Sequence, residues 1–138
     1  MEPHWEHFDH QADIGIRGWG RTPSEAFEQA AMAMTAVIVN PASVQPVEDV
    51  AIECEAPDSE LLLVDWLNAL LCEMAARRML FSVFAVVLAG NRLSGRARGE
   101  RINPSRHHPA VEVKGASYLE LKVKAAADGW VAQCVVDV

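Results

Sequence analysis

The sequence predicts an α+β domain in which two helices pack on a mostly antiparallel β-sheet. Two segments carry apolar residues at helical spacing, several others alternate as strands do, and hairpin turn signals separate the later strands. The chain has 138 residues, enough for one domain with a proper core, so we assign residues 1–138 to a single layered domain.

The first strand and the first helix are predicted within residues 13–39. From Asp13 to Trp19 the residues alternate, with Ile14 and Ile16 on one face, as in a strand. The run Thr22-Pro23-Ser24-Glu25 is a capping box, in which Thr22 caps a helix and Glu25 reaches back. This helix extends to about Val39, before the Asn40-Pro41 stop. Its buried stripe consists of Phe27, Ala30, Ala31, Met34 and Ile38.

A second strand and a second helix follow. The alternation of Val50, Ile52 and Cys54 with polar neighbours predicts the strand, and Asp58 is the expected N-cap of the helix. The helix should be well covered by other parts of the chain, because its apolar stripe is wide. The stripe consists of Leu63, Leu67, Leu70, Leu71 and Met74, widened by Leu62, Trp66 and Ala69, whereas Asp65, Asn68 and Cys72 form a polar line.

The remainder of the chain is predicted to be mainly strands. The apolar run from Met79 to Leu88 favours a buried strand, and the turn Gly90-Asn91 lets residues 92–99 pair back on it. Residues 101–109 are rich in Arg and His and are expected to form an exposed loop. We predict strand material between 110 and 125, and a last strand at 130–138 after the turn Asp128-Gly129.

Charge and cysteine content limit the possible functions. The net charge of −7 argues against nucleic-acid binding by the chain alone. Residues 1–76 hold 14 acids and 2 bases, a net of −12, whereas residues 77–124 hold 10 bases and 3 acids, a net of +7. This asymmetry is either an ordinary solvated surface or a docking face for a charged partner. Cys54, Cys72 and Cys134 are odd in number and far apart, so each is expected to fill the core rather than form a disulfide or zinc site.

Location is predicted from what the sequence lacks. No apolar run reaches the roughly 18 residues of a membrane helix, and the N-terminus does not resemble a secretory leader. We therefore expect a cytoplasmic protein that does not contact a membrane.

Two aspartates near the ends of the chain are the candidate site. Asp13 and Asp137 each interrupt an apolar, strand-like stretch, and Asp137 precedes only Val138. If the two strands lie side by side, both side chains and the Val138 carboxylate converge, and such oxygen ligands suit calcium or magnesium. The alternative is that each aspartate simply caps a strand end.

Other chemistry has less support in the sequence. His4, His7 and His10 are three residues apart, so on a strand successive members point to opposite faces and cannot converge on a metal ion. Only His10 is expected to make local hydrogen bonds. No nucleophile–base arrangement and no glycine-rich phosphate loop are visible, so an enzyme in its own right is disfavoured.

Five runs of residues occur in order over nearly the whole chain. They are Asp9-His10-Gln11-Ala12-Asp13-Ile14-Gly15-Ile16, Thr22-Pro23-Ser24-Glu25-Ala26-Phe27, Leu62-Leu63-Val64-Asp65-Trp66-Leu67-Asn68, Glu112-Val113-Lys114-Gly115-Ala116-Ser117-Tyr118 and Trp130-Val131-Ala132-Gln133-Cys134-Val135-Val136-Asp137-Val138. Together these runs resemble the archease family. The resemblance implies a small, non-catalytic protein that activates the RtcB-type tRNA-splicing RNA ligase. Such activators promote guanylylation and multiple turnover of the ligase in tRNA splicing and RNA repair, and can broaden its nucleotide use.

The resemblance also implies a site and its partners. It places a divalent metal, calcium first with magnesium or manganese as alternatives, on Asp13, Asp137 and Val138. It implies that His10, Lys114 and Tyr118 bind the partner, which is the ligase, and that RNA is reached only through the ligase.

Two positions depart from the family pattern, and one alternative function remains open. Gln11 stands where the family usually has threonine, and Leu119 stands where it often has histidine. The alternative is a general protein-binding or chaperone-like module without a metal role.

Overall fold

The computed structural model describes all 138 residues and confirms the α+β class, with helices packed on antiparallel strands. None of the helices has the length and apolar character that crossing a membrane requires. The helices are α1 (Pro23–Ile38), α2 (Ser59–Arg77) and α3 (Pro104–His107), and a 3₁₀ turn spans Pro41–Ser43. The strands are β1 (His4–His10), β2 (Asp13–Gly20), β3 (Glu48–Glu55), β4 (Met79–Ala89), β5 (Arg92–Arg101), β6 (Gly115–Ala116), β7 (Lys122–Ala126) and β8 (Gly129–Asp137).

The strands form two antiparallel sheets where the sequence predicted one. In the first sheet the order is β1-β2-β8-β6, and β7 pairs with β8 beside β6. In the second sheet the order is β3-β5-β4. Both long helices contact both sheets. Helix α1 therefore buries more of its surface than the single stripe that the sequence predicted. Ala26, Ala33 and Val37 are buried in addition to the predicted residues.

Helix α1 begins as predicted and lies unusually close to β2. The Thr22 hydroxyl accepts a hydrogen bond from the Glu25 N–H at 3.1 Å, and the Glu25 carboxylate reaches back to the Arg21 N–H at 2.8 Å. A Cβ atom at Gly18 would lie 2.3 Å from the backbone nitrogen of Ala30, so only glycine permits this approach.

Trp66 of α2 anchors the core against the second sheet. Its side chain is fully buried, and its Nε1 donates a hydrogen bond to the carbonyl of Phe27 in α1 at 3.2 Å. Its ring meets Phe84 of β4 edge-on, with centroids 6.2 Å apart. A Cβ atom at Gly95 of β5 would lie 2.4 Å from the Trp66 ring, so the missing side chain makes room for it.

Two expectations about strands are corrected. The first strand was predicted to begin at Asp13, but residues 4–10 already form a strand, β1, which pairs with β2 from His4↔Trp19 to His10↔Asp13. Strand β1 lies at the edge of its sheet and carries many polar residues, as edge strands often do. Its sequence therefore lacks the regular alternation that indicates a strand. Strand β4 is also at an edge, and only one of its faces is buried: Val83 is 42% exposed and Val87 is 65% exposed.

The region between residues 110 and 125 and the cysteines are only partly as predicted. Strand structure is limited to β6 and β7, with irregular chain before and between them. Cys134 is buried in the core as expected, whereas Cys54 is half-buried and Cys72 is exposed. Cys72 lies on the polar line of α2, which explains its exposure.

The Arg- and His-rich segment is not a plain exposed loop. It contains α3, and the His107 side chain is fully buried. The His107 Nδ1 accepts a hydrogen bond from the Asn103 N–H at 2.8 Å, and its Nε2 lies 3.0 Å from the Glu100 carboxylate. Arg106, at 2.7 Å, the Gln45 N–H, at 2.7 Å, and His107 together lower the pKa of Glu100 to about 2. This cluster fastens the segment to the end of β5.

Part of the charge asymmetry of the sequence is balanced within the second sheet. Because β3 pairs with β5, acids of the first part of the chain lie beside arginines of the second part. Asp49 pairs with Arg98 at 2.8 Å, and Glu55 lies 4.0 Å from Arg92.

Replacing Gly95 with alanine should destabilise the fold, because the new Cβ atom would overlap the Trp66 ring. We expect a loss of about 1–3 kcal/mol in the free energy of unfolding, measured by urea denaturation. Gly115→Ala is the matched control, since a Cβ atom there meets only Asn68 Oδ1 at 3.6 Å. Equal unfolding midpoints for Gly95→Ala and the wild type would contradict this account of Trp66 packing.

The Glu100 cluster should make stability depend on pH in the acid range. The folded pKa of about 2 lies below the ordinary value of 4.5, so the stabilisation is present above about pH 4.5 and is lost as the pH falls towards 2. Urea midpoints measured from pH 2 to 6 should fall less for Glu100→Gln than for the wild type. Glu112→Gln, at an exposed glutamate, is the control and should follow the wild type.

Candidate functional site

The candidate residues meet where four neighbouring strands of the first sheet end. His10 of β1 is paired with Asp13 of β2, and the β2–β8 ladder begins at Ile14↔Val136. Asp137 is the next residue of β8, so it lies opposite Asp13. Asp137 is in turn paired with Gly115 of β6. We call this end of the sheet the acidic tip, defined by Asp13, Asp137 and Val138.

A hydrogen bond within the acidic tip joins the start of β2 to the residue after β8. The Val138 N–H donates a hydrogen bond to Asp13 Oδ1 at 3.3 Å. Asp13 and Val138 are half-buried, and Asp137 is exposed. Asp13 thus caps the end of β8, as one sequence hypothesis proposed. The other oxygen of its carboxylate, and both oxygens of Asp137, make no hydrogen bond to the protein and are available to a ligand.

The donor set at the acidic tip consists of oxygen atoms. No group of three or more histidine, cysteine, aspartate and glutamate side chains lies close enough together to hold a metal ion. The side chains therefore offer two carboxylates, and further ligands would have to be main-chain or terminal oxygens of Val138 and water. Calcium accepts such mixed oxygen sets, and magnesium commonly binds one or two carboxylates and keeps several waters, so these residues fit a hard cation.

The three N-terminal histidines go to separate places. His7 hydrogen-bonds through Nε2 to the carbonyl of Ala33 in α1 at 2.7 Å, whereas His4 stacks on Trp19. His10 reaches the acidic tip, opposite Asp13. Its Nδ1 is the one buried side-chain nitrogen or oxygen of the chain without a hydrogen-bond partner. The expectation that His10 makes local hydrogen bonds is therefore wrong, and His4 and His7 make hydrogen bonds instead.

The other two residues predicted to bind the partner, Lys114 and Tyr118, lie before and after β6. The Lys114 N–H donates to the Asp137 carbonyl at 2.8 Å, which holds its backbone at the tip. Its side chain is exposed, makes no salt bridge, and lines a cavity of about 410 Å³ against α2. Tyr118 is 68% exposed on the loop after β6, next to Leu119, which is 50% exposed.

Asn68 of α2 supports the strand beside the acidic tip, a role that its place on the predicted polar line of the helix did not reveal. Its Oδ1 accepts a hydrogen bond from the Ala116 N–H at 2.8 Å, and its Nδ2 donates to the Ala116 carbonyl at 3.4 Å. On the side of β6 away from β8, the Asn68 side chain therefore makes the hydrogen bonds that another strand would make. It holds this two-residue strand in place against β8. An asparagine within an apolar helix was the available signal, but its partner is distant in sequence.

A polar network around the buried Gln133 side chain supports the outer face of β8. Gln133 accepts from Arg17 Nε at 2.7 Å and donates to the carbonyl of Glu120 at 2.9 Å. Arg17 also pairs with Glu6 at 2.8 Å, and this bond and one from Trp19 lower the pKa of Glu6. The sequence analysis predicted the strand that carries Gln133 but not the burial of this side chain.

On the inner face, burial raises the pKa of the Cys134 thiol to about 12, with a further contribution from the charge of Asp137. The thiol therefore stays protonated at neutral pH. It is fully buried and packs as a core residue.

Comparison with known sequences identifies relatives over almost the whole chain. The model of the Archease protein family (MTH1598/TM1083) matches residues 5–138. The protein archease of Pyrococcus furiosus is 40% identical over 139 residues, covering 97% of this chain and 98% of the relative. The protein archease of Methanopyrus kandleri is 39% identical over 137 residues, covering 96% and 98%.

Two solved structures have the same fold. The solution structure of Methanobacterium thermoautotrophicum protein 1598 matches with a TM-score of 0.85 and 30% identity, over 97% of this chain and 98% of that one. The Thermotoga maritima crystal structure, titled as an archease and possible chaperone, matches with a TM-score of 0.62 and 17% identity, over 96% of each chain. At that identity, the second match supports the fold alone.

Removing the Asn68 amide should loosen β6 locally. In Asn68→Ala the Ala116 N–H loses its acceptor, so its hydrogen exchange should become faster. The expected global cost is about 1 kcal/mol, the usual value of one hydrogen bond. Asp65→Ala, on the exposed polar line of the same helix, is the control. Unchanged exchange at Ala116 would contradict the role assigned to Asn68.

Proposed function

Because this chain belongs to the archease family, we propose that it activates an RtcB-type tRNA-splicing RNA ligase and catalyses no reaction itself. It promotes guanylylation and multiple turnover of the ligase in tRNA splicing and RNA repair. The observation that carries the proposal is the position of Asp13 opposite Asp137 at the end of one sheet, with the Val138 N–H bonded to Asp13. Asp137 is exposed and Asp13 and Val138 are half-buried, so this group lies at the surface, where it can enter a partner's active site.

We propose that the acidic tip holds a divalent cation, calcium first, with magnesium or manganese as alternatives. Asp13 and Asp137 supply carboxylate oxygens, and the terminal carboxylate of Val138 supplies the third protein ligand. A bound cation offsets the phosphate charge of a nucleotidyl transfer. The hydrogen bond from the Val138 N–H orients Asp13, and β6 holds the main chain of Asp137.

The partner contacts surround the acidic tip. We assign them to His10, Lys114 and Tyr118. Lys114 has no acidic partner within the chain, so its ammonium is free to meet a carboxylate or a phosphate. The ring of Tyr118 is 68% exposed and can pack on a protein surface. The ligase is the partner, and RNA is reached only through it, in keeping with the net charge of −7.

The alternative is a general protein-binding or chaperone-like module without a metal role. The words "possible chaperone" describe the Thermotoga maritima protein. In that case, stimulation would follow surface contacts and would not depend on Asp13 or Asp137. The two functions therefore predict different results when ligase stimulation is measured with Asp13 and Asp137 variants.

Asp13→Ala and Asp137→Ala should each abolish most stimulation of ligase guanylylation. Cation binding, followed by calcium titration calorimetry, should weaken by at least roughly tenfold, since loss of even a supporting partner has that effect. Asp128→Ala is the matched control, because Asp128 is exposed in the β7–β8 turn at the other end of β8.

Two results would count against this function. Full stimulation by both folded aspartate variants would favour the chaperone-like alternative. Unimpaired activity after extension of the chain beyond Val138 would remove the terminal carboxylate from the ligand set and leave the two aspartates to be tested separately.

A further inference from the structure

Strand β4 is apolar on both faces, although nothing in the chain covers its outer face. Its inner residues Phe84 and Val86 are buried, but Val83 is 42% exposed and Val87 is 65% exposed. An antiparallel sheet that faces water normally alternates apolar and polar residues. The outer side of this strand therefore has the composition of a covered surface.

The charges on the same face leave one arginine without a partner. Arg98 is paired with Asp49 at 2.8 Å, and Glu53 accepts a hydrogen bond from Ser94 at 2.6 Å. Arg96 lies between them, and its neighbours across the strands are Ala51 of β3 and Ala85 of β4. It forms neither an ion pair nor a side-chain hydrogen bond. Arg96 is thus a free guanidinium bordered by small apolar residues.

The small neighbours of Arg96 create a hollow. A cavity of about 320 Å³ is lined by Ala51, Ala85, Val87 and Arg96, and also by the carboxylates of Glu28 and Glu53. These carboxylates already accept hydrogen bonds from the Val86 N–H and the Ser94 hydroxyl, whereas Arg96 is unpaired. We call this surface the Arg96 face, defined by Ala51, Val83, Ala85, Val87 and Arg96. It combines an apolar floor with one unpaired cation, which suits a single acidic side chain of a partner.

The edge of β4 is less available than its face. The Val86 N–H donates a hydrogen bond to the Glu28 carboxylate of α1 at 2.8 Å, and partial burial raises the pKa of Glu28. This carboxylate blocks the middle of the edge, as charged side chains do at many sheet edges. A partner would therefore contact the Arg96 face through side chains instead of adding a strand.

We propose that the Arg96 face docks a protein segment that carries a carboxylate between apolar side chains. The carboxylate pairs with Arg96, and the apolar residues cover Val83 and Val87. A nucleic acid fits less well, because the acids of β3, including Glu53 and Glu55, border the face and repel a run of phosphates, whereas a single carboxylate can pair with Arg96 alone. The proposal rests on the proposed function, since the segment belongs to the ligase.

Docking through the second sheet would complement the acidic tip on the first sheet. The acidic tip then acts at the active site of the ligase, and the Arg96 face determines how tightly and in which orientation the protein binds the ligase. The two roles separate in measurement, because loss of docking changes the dissociation constant, whereas loss of the tip changes stimulation at saturation.

The test is the affinity of the intact protein for purified ligase from the same organism, measured by biolayer interferometry. Arg96→Glu should weaken binding by roughly tenfold or more, as reversal of an interfacial charge does. It should still stimulate guanylylation fully at saturating concentration. Val87→Ser, which removes apolar surface only, should weaken binding by several-fold. Lys124→Glu is the matched control, because Lys124 is an exposed, unpaired base on the first sheet.

Several results would overturn the docking proposal. These are wild-type affinity for both folded variants, no binding by the wild type, or an equal loss with Lys124→Glu. A change in RNA binding, or dissociation of a dimer in sedimentation, would assign the Arg96 face to another occupant and equally overturn it. The stimulation assay with Asp13→Ala decides the proposed function independently of these outcomes.

Discussion

The pairing of β2 with β8 is the interaction on which the rest of the structure depends. It runs from Ile14↔Val136 to Gly20↔Trp130 and joins residues that are far apart in sequence. The entropic cost of closing so long a loop grows only slowly with loop length. Burial of the two strands in the core offsets this cost. The same register places Asp13 opposite Asp137. A slip of one residue would turn these carboxylates to the other face.

The two sheets are held together by helices that fit only because particular side chains are small. Gly18 lets α1 approach β2, and Gly95 makes space for Trp66 of α2. Each long helix is thereby shared between both sheets. This arrangement leaves one end of the first sheet and the outer face of the second sheet free, and those are the two surfaces to which we assign functions.

Predictability from sequence differed between individual elements for physical reasons. The caps at Thr22 and Asp58 were predictable because their hydrogen bonds close within three residues. The burial of His107 was not, because its charged neighbourhood looks like a solvated loop until Glu100 and Arg106 meet around it. The partner of Asn68 could not be predicted, because Ala116 is 48 residues away in the sequence.

The sequence by itself determined the α+β class, most helix and strand positions and the family, because periodicity, caps, turns and motifs are local properties of the chain. It also marked Asp13 and Asp137 as candidates. Only the tertiary structure decided that the strands form two sheets, that the aspartates lie opposite each other, and that Arg96 has no partner. These depend on strand register and on which faces other elements cover, and both are set by contacts between residues distant in sequence.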